Sequence, residues 1–297
     1  RSSLARYLDL APSHLVLGNG ASELIHLVVG VMKPRKAGIL IPTFSEYQHA
    51  LDAAGCEAVY IPLFRDAGFL PDTEDLLRRL AGLDMLFVCN PNNPTGSVFR
   101  RESFLRILDA AEESGVFIVA DEAFIDFVDD ASGITLRRET TGRENLLVLG
   151  SLTKIFALPG LRVGYGISSP SFAERMWRAK DPWSVNALAQ AASVACLGDT
   201  KFLAKTAKWL RSERAYLYDG LCKLPGVSPY PPSANYILAG IRDTGLAASD
   251  LCDSLGRKGI LVRDCGNFPG LDEYHVRFAV KTREQNSVLL ATLEDAL

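Results

Sequence analysis

The stretch Ser151-Leu-Thr-Lys154-Ile-Phe-Ala-Leu-Pro-Gly160-Leu-Arg162-Val-Gly164-Tyr165 decides the reading of this chain. It follows Leu146–Leu149, an apolar run of strand length, and feeds a second such run, Val163–Ile167. A lysine therefore follows a strand that ends in hydroxyl residues, and an arginine comes eight residues later, in a turn marked by Pro159 and Gly160. Lysine is the side chain that forms Schiff bases with carbonyl cofactors. Ser151, Thr153 and Arg162 offer hydroxyls and a guanidinium fork, donors suited to a phosphate. Alone, the stretch also admits a surface lysine and a loop-stabilising arginine.

Working outward, short apolar runs alternate with amphipathic stretches of helix length. Strands are expected at Leu15–Leu17, Gly38–Ile41, Ala58–Leu63, Met85–Cys89 and Phe117–Ala120 as well. Several are continuously apolar, as strands buried on both faces are. Helices are expected at Ala21–Met32, Ser45–Ala54, Thr73–Leu80 and Arg101–Ser114. The alternation predicts an α/β unit with a mostly parallel sheet flanked by helices, residues 11–180. Helical patterns dominate from Ser171 to Leu224, and the Pro-rich LPGVSPYPPS at 224–233 reads as a turn. Beyond it come Ala234–Ile241, a helix near Ala248–Lys258, strands Ile260–Arg263 and His275–Val280, and a last helix from Arg283. This tail predicts a smaller α+β domain, 181–297, entered through a helical linker at about 181–222.

Composition narrows the function. The 297 residues carry 32 Lys and Arg against 35 Asp and Glu, a net charge of −3, which does not suit a nucleic-acid partner. No apolar run reaches the roughly 18 residues that a membrane helix needs. The opening residues RSSLARYLDL do not read as a signal peptide. The six cysteines form no CxxC pair and have no histidine cluster beside them, so they read as reduced thiols of a cytoplasmic protein with no metal site. His14, His26, His49 and His275 are scattered and take no role.

Other expected strands are also followed by residues with chemical potential. Asn90-Pro-Asn-Asn93-Pro-Thr-Gly96 follows MLFVC and holds an amide on a rigid backbone at a strand's C-terminal end, where open α/β sheets bind ligands. Asp121-Glu-Ala-Phe124 follows FIVA, and a carboxylate there suits a protonated heterocyclic nitrogen. Gly18-Asn-Gly20-Ala21-Ser22 opens a helix whose free N–H groups and dipole favour an anion. Phe44 follows GILIPT and offers a face for a flat ring. Each has a plain alternative: a Pro/Asn turn, a loop-capping Asp, an ordinary helix start, a core aromatic.

Together they form one constellation, and it resembles the fold-type I aminotransferases of class I and II, which depend on pyridoxal 5'-phosphate (PLP). The resemblance spans essentially the whole chain and rests on SLTKxxxxPGLRVGY, NPNNPTG and DEAF. It implies a large domain with a central sheet and a smaller C-terminal domain. It implies Lys154 as the cofactor lysine, Asp121 as partner of the ring nitrogen, Asn93 as donor to the ring's O3′ and Phe44 as ring stacker. Gly20, Ala21, Ser22, Ser151, Thr153 and Arg162 would hold the phosphate. Phe124 stands where many relatives have Tyr, so one phenol hydrogen bond is missing.

Within the superfamily the chain is similar to the histidinol-phosphate aminotransferase branch. More narrowly it resembles the L-threonine-O-3-phosphate decarboxylases of cobalamin biosynthesis, through DEAFIDF at 121–127, PWSVNALAQ at 182–190 and CGNFPGLDEYHVRFAVKTREQN at 265–286. That likeness implies a homodimeric cytoplasmic enzyme acting on a phosphorylated amino acid. An aminotransferase and, more remotely, a non-catalytic PLP-binding module are the alternatives. It also implies an N-terminal arm ahead of the segment that starts here at Arg1.

Arg263 and Arg277 lie in ILVRDC and HVRFAV, among apolar neighbours where an unpaired guanidinium is costly. They are expected to need anions. The resemblance makes Arg277 the reader of a substrate carboxylate and Arg263 of a substrate phosphate. Ion pairs with Asp264 or Asp272 are the structural alternative.

Overall fold

The computed structural model describes Arg1–Leu297. After α1 (Ser2–Leu8), strands and helices alternate: β1 (Leu15–Gly18), α2 (Ala21–Met32), β2 (Lys36–Ile41), α3 (Glu46–Ala53), β3 (Glu57–Pro62), α4 (Thr73–Arg79), β4 (Met85–Cys89), α5 (Arg101–Glu113) and β5 (Phe117–Asp121). Then follow α6 (Ala131–Ile134), β6 (Leu146–Ser151), the single turn α7 (Leu152–Ile155), β7 (Gly164–Ile167) and α8 (Pro170–Ala179). The C-terminal part holds α9 (Ala187–Leu197), α10 (Thr200–Leu221), β8 (Ser228–Pro229), β9 (Tyr236–Gly240), α11 (Ala248–Arg257), β10 (Arg263–Asp264), β11 (His275–Ala279) and α12 (Arg283–Glu294).

β1 to β7 form a seven-stranded sheet in the order β1-β7-β6-β5-β4-β2-β3. The pairs β3–β2, β2–β4, β4–β5 and β5–β6 are parallel, whereas β7 is antiparallel to both β6 and β1. The central strands β5 and β6 are buried at every residue, which is why their sequences are apolar without alternation. Helices that start in mid-chain carry their own stops and starts. Asp72 caps α4 by accepting the N–H groups of Glu74 and Asp75, and Ser169, Asn186, Asp199 and Thr282 cap α8, α9, α10 and α12 in the same way.

The second sheet has the order β10-β11-β9-β8 and is antiparallel throughout. One apolar core runs without a break from Leu146 and Val148 beneath the large sheet to Ile237, Val276 and Phe278 of the small one. No helix is long and apolar enough to cross a membrane.

Two local expectations need correction. The Pro-rich 224–233 segment is not turn alone, because Ser228–Pro229 pairs with β9 as an edge strand, where a proline's missing donor costs no ladder bond. The expected strand Ile260–Arg263 is nearly absent. Only Arg263 and Asp264 pair with β11, and Ile260, Leu261 and Val262 leave the ladder, with Leu261 91% exposed. β-propensity gave these three residues the look of a strand, but the ladder with β11 stops at Arg263.

Candidate active site

The sheet order explains how distant motifs meet. β2, β4, β5 and β6 are parallel neighbours, so the loops beyond their C-terminal ends lie side by side. Phe44, Asn93 and Phe124 lie in those loops, Asp121 ends β5 and Lys154 sits in α7 just beyond β6. β7 runs the other way, and its register sets Gly164 opposite both Ser151 and Gly18. Arg162, just ahead of β7, therefore arrives between the end of β6 and the start of α2. One pocket results, lined by Ala21, Ser22, Phe44, Cys89, Asn93, Asp121, Ala123, Phe124, Ser151, Thr153, Lys154 and Arg162.

At the α2 end, glycines permit the approach. Gly20 has φ +83°, and a Cβ on it would lie 2.5 Å from Arg162 Nη2. A Cβ on Gly164 would lie 2.4 Å from the backbone nitrogen of Ala21. No side chain caps α2, so its first N–H groups face the pocket beside the guanidinium. Gly20 itself does not line the pocket; it sets the backbone that does. Arg162 is in the left-handed region at φ 56° and donates through Nη1 to the carbonyl of Pro159 at 3.1 Å. Ser151 and Thr153 share a 2.7 Å hydroxyl–hydroxyl bond at the pocket floor.

The NPNNPTG loop divides its three asparagines between structure and site. Asn90 ties down the loop through both ends of its amide to the backbone of Phe99, at 3.3 and 2.9 Å. Asn92 is satisfied by Thr43 Oγ1, the Pro42 carbonyl and Thr95 Oγ1, each at 2.9 Å. Asn93 is left for the pocket. Its Oδ1 accepts from Arg277 Nη1, which turns the Nδ2 donors away from the arginine and leaves them for a ligand oxygen.

Asp121 is 4% exposed at the end of β5. Its Oδ1 accepts from the N–H of Ala123 at 2.9 Å and its Oδ2 from the Tyr47 hydroxyl at 2.7 Å. Burial pushes its pKa up, against the pull of these two hydrogen bonds and of the Lys154 charge. Lys154 keeps part of its surface open to solvent while its Nζ reaches into the pocket, 5.5 Å from the centre of the Phe124 ring. Loss of water around Nζ, followed by the charges of Arg162 and Arg277, lowers its pKa, while Asp121 opposes them. A lysine held this way is a better nucleophile at neutral pH than a free one.

Arg277 does reach the site: it holds Asn93 and lies 5.0 Å from the ring centre of Tyr236. Arg263 contradicts the expectation of apolar surroundings. It is exposed, donates to Asn267 Oδ1 at 3.0 Å and lies 5.5 Å from the ring centre of Phe268. The ladder that would have covered it stops at β10, so one face of the side chain meets solvent. The proposed carboxylates are engaged elsewhere. Asp272 takes Arg242 and His275 at 2.6 and 2.7 Å, and Asp264 accepts the N–H of Gly266 at 2.8 Å.

Sequence reading missed Tyr47, Tyr236, Cys89 and Ala123. Tyr236 is buried, donates to the carbonyl of Asn92 at 2.9 Å and packs edge-on against Phe124 at 5.1 Å. Both tyrosines sit in regular elements with an apolar pattern, where an aromatic reads as core. A larger cleft of about 700 Å³, between α1 and residues 131–138, holds no comparable chemistry. Two of its three arginines are already paired, Arg137 with Asp126 at 3.2 Å and Glu122 at 3.5 Å, and Arg101 with Glu139.

PLP fits these residues. The uncapped α2 terminus, the two glycine clearances, the free Asn93 donors and the buried Asp121 each answer a different part of the molecule.

The model of the aminotransferase class I and II family matches residues 1–293. The chain is 40% identical over 297 residues to threonine-phosphate decarboxylase of Salmonella typhimurium, covering 99% of this chain and 80% of that protein. Among solved structures, the histidinol-phosphate aminotransferase from Clostridium acetobutylicum superposes with a TM-score of 0.93 at 33% identity, covering 99% of this chain and 87% of the other. The L-threonine-O-3-phosphate decarboxylase from Porphyromonas gingivalis gives 0.88 at 26% identity, with the same coverage.

Proposed function

The chain belongs to the aminotransferase class I and II family, and from that membership we propose that it is a PLP-dependent decarboxylase. Its reaction releases CO2 from L-threonine O-3-phosphate and adds one proton at Cα, giving (R)-1-amino-2-propanol phosphate, a step of cobalamin biosynthesis. The identity to threonine-phosphate decarboxylase supports this choice of reaction. The observation that carries the substrate class is the pair Arg263 and Arg277, opposite each other on β10 and β11 without a carboxylate partner, with Arg277 bonded to Asn93 of the pocket.

When bound, PLP supplies an electron sink for the bonding pair of the cleaved Cα bond. Lys154 would anchor it, and its Nζ would return the proton to Cα. Asp121 would keep the ring nitrogen protonated, Phe44 would stack on the ring and Asn93 would donate to O3′. The α2 terminus, Ser151, Thr153 and Arg162 hold its phosphate. Arg277 binds the substrate carboxylate and Arg263 the substrate phosphate, each by charge-assisted bonds.

We also place the large PLP-binding unit at 11–180 and the small one at 181–297, and read the enzyme as a cytoplasmic homodimer. The six free cysteines support a reducing compartment. Trp183, Leu188 and Val194, which are 91%, 73% and 58% exposed, are apolar side chains of the kind that a second copy would cover.

The TM-score to the histidinol-phosphate aminotransferase favours a second reading, amino transfer from a phosphorylated amine. One assay separates the two. O-phosphothreonine without an amino acceptor should yield CO2 and the amine. Production of an oxo acid only when 2-oxoglutarate is present would replace the decarboxylase with the aminotransferase.

A further inference from the structure

Tyr47 stands in the first turn of α3 with none of its surface exposed and does not line the pocket. Its ring is stacked on Phe87, with centroids 4.9 Å apart and planes at 14°. It also meets Phe44 edge-on at 5.8 Å. Those contacts need only an aromatic ring. A phenylalanine would fill the same space and carry no buried polar atom. The hydroxyl is the part that packing does not require; with the Cys89 thiol also against it, it makes a 2.7 Å hydrogen bond to Asp121 Oδ2.

That bond completes a bracket around the carboxylate. With Ala123 N–H on Oδ1 and the phenol on Oδ2, neither oxygen can rotate without losing a donor in a buried site, where an unmade bond is expensive. We propose that Tyr47 is a positioning residue, whose hydroxyl fixes the rotation of the Asp121 carboxylate and stabilises it as an anion. The proton shared with a heterocyclic nitrogen then rests on the nitrogen. The inference builds on the reading of Asp121 as the ring-nitrogen partner. Burial and the Asp121 charge push the Tyr47 pKa well above the usual tyrosine value, so the phenol stays a donor. Cys89, the other titratable group against it, is held as a thiol by burial, with its pKa pushed up to about 12.

The same side chain joins two parts of the site. Phe44, the ring stacker, rests on the edge of Tyr47, and Asp121 takes its hydroxyl. α3 thereby sets the face and the nitrogen end of a bound heterocycle from one rigid ring.

The test is Tyr47→Phe in protein loaded with PLP labelled with 15N at the ring nitrogen. In the wild type the nitrogen resonance should lie in the protonated range. In Tyr47→Phe it should move toward the unprotonated position, because the carboxylate has become the stronger base. kcat should fall on the order of tenfold to a hundredfold, the loss of one hydrogen bond to a charged group, with KM within about threefold. The apoprotein melting temperature should hold within a few degrees. An unchanged resonance overturns the proposal, whether kcat stays or falls together with stability, since that is a packing role. Asp121→Asn is run beside it. If that variant keeps the wild-type resonance and kcat, the reading of Asp121 fails and Tyr47 loses its role with it. If Asp121→Asn loses both while Tyr47→Phe loses neither, only the Tyr47 assignment falls.

Discussion

Arg263 and Arg277 stand directly opposite each other across the β10–β11 ladder, and neither is in an ion pair. Like charges in that position repel, by roughly 0.2–1 kcal/mol for a cross-strand pair. An anion bound between them would turn the repulsion into attraction. Inorganic phosphate should therefore raise the melting temperature of the wild type, and Arg263→Ala should abolish that gain. In phosphate-free buffer Arg263→Ala should melt slightly higher than the wild type. A phosphate response that survives the substitution would show that the pair is not an anion site.

The two arginines should also divide the substrate. Arg263→Ala should reduce kcat/KM for O-phosphothreonine far more than for threonine, on the order of tenfold to a hundredfold per lost charge-assisted bond. Arg277→Ala should penalise both, because both carry the carboxylate. Equal losses for the two substrates in Arg263→Ala would remove Arg263 from the phosphate site.

Lys154 leads to a pH profile with predictable signs. Capture of PLP by the apoprotein needs an unprotonated Nζ, so its rate should rise with pH and reach its midpoint below the ordinary lysine value of 10.5. Arg277 lowers the Lys154 pKa, so Arg277→Ala should move the midpoint up. Asp121 raises it, so Asp121→Asn should move the midpoint down. Stopped-flow absorbance across the alkaline range gives the three midpoints. Borohydride reduction of the loaded protein should leave the pyridoxyl group on Lys154, read by peptide mapping; a label on another lysine would refute the anchor.

Two glycines of one stretch should behave oppositely. Gly164→Ala drives a Cβ into the Ala21 nitrogen and the Gly20 carbonyl carbon, at 2.4 and 2.6 Å, and backbone cannot swing away as a side chain can. It should destabilise the apoprotein by about 1–3 kcal/mol, the usual cost of overpacking, and weaken PLP binding. Gly160→Ala meets nothing within 4 Å and should be close to neutral. Thermal melts and a PLP titration of both variants check the contrast.

The sequence by itself determined the large sheet and the pocket's main residues. Lys154, Asp121, Asn93 and Phe44 each follow a strand whose continuous apolar run is a local signal, and strand order alone then brings their loops to one edge. The tertiary structure decided what depends on register and on the far side of a packing contact. The hydroxyl of Tyr47 points at Asp121 only because α3 packs on the sheet so that its ring meets Phe87 of β4. From sequence that tyrosine is one more buried aromatic. Arg263 and Arg277 face each other only because β10 pairs in one register, and Ile260–Val262, as strand-like in composition as any other run, stays unpaired because the ladder with β11 stops at Arg263. Composition and periodicity report how each segment buries its own side chains; they do not contain the distance between two segments, and hydrogen bonds and charge pairs are set by that distance.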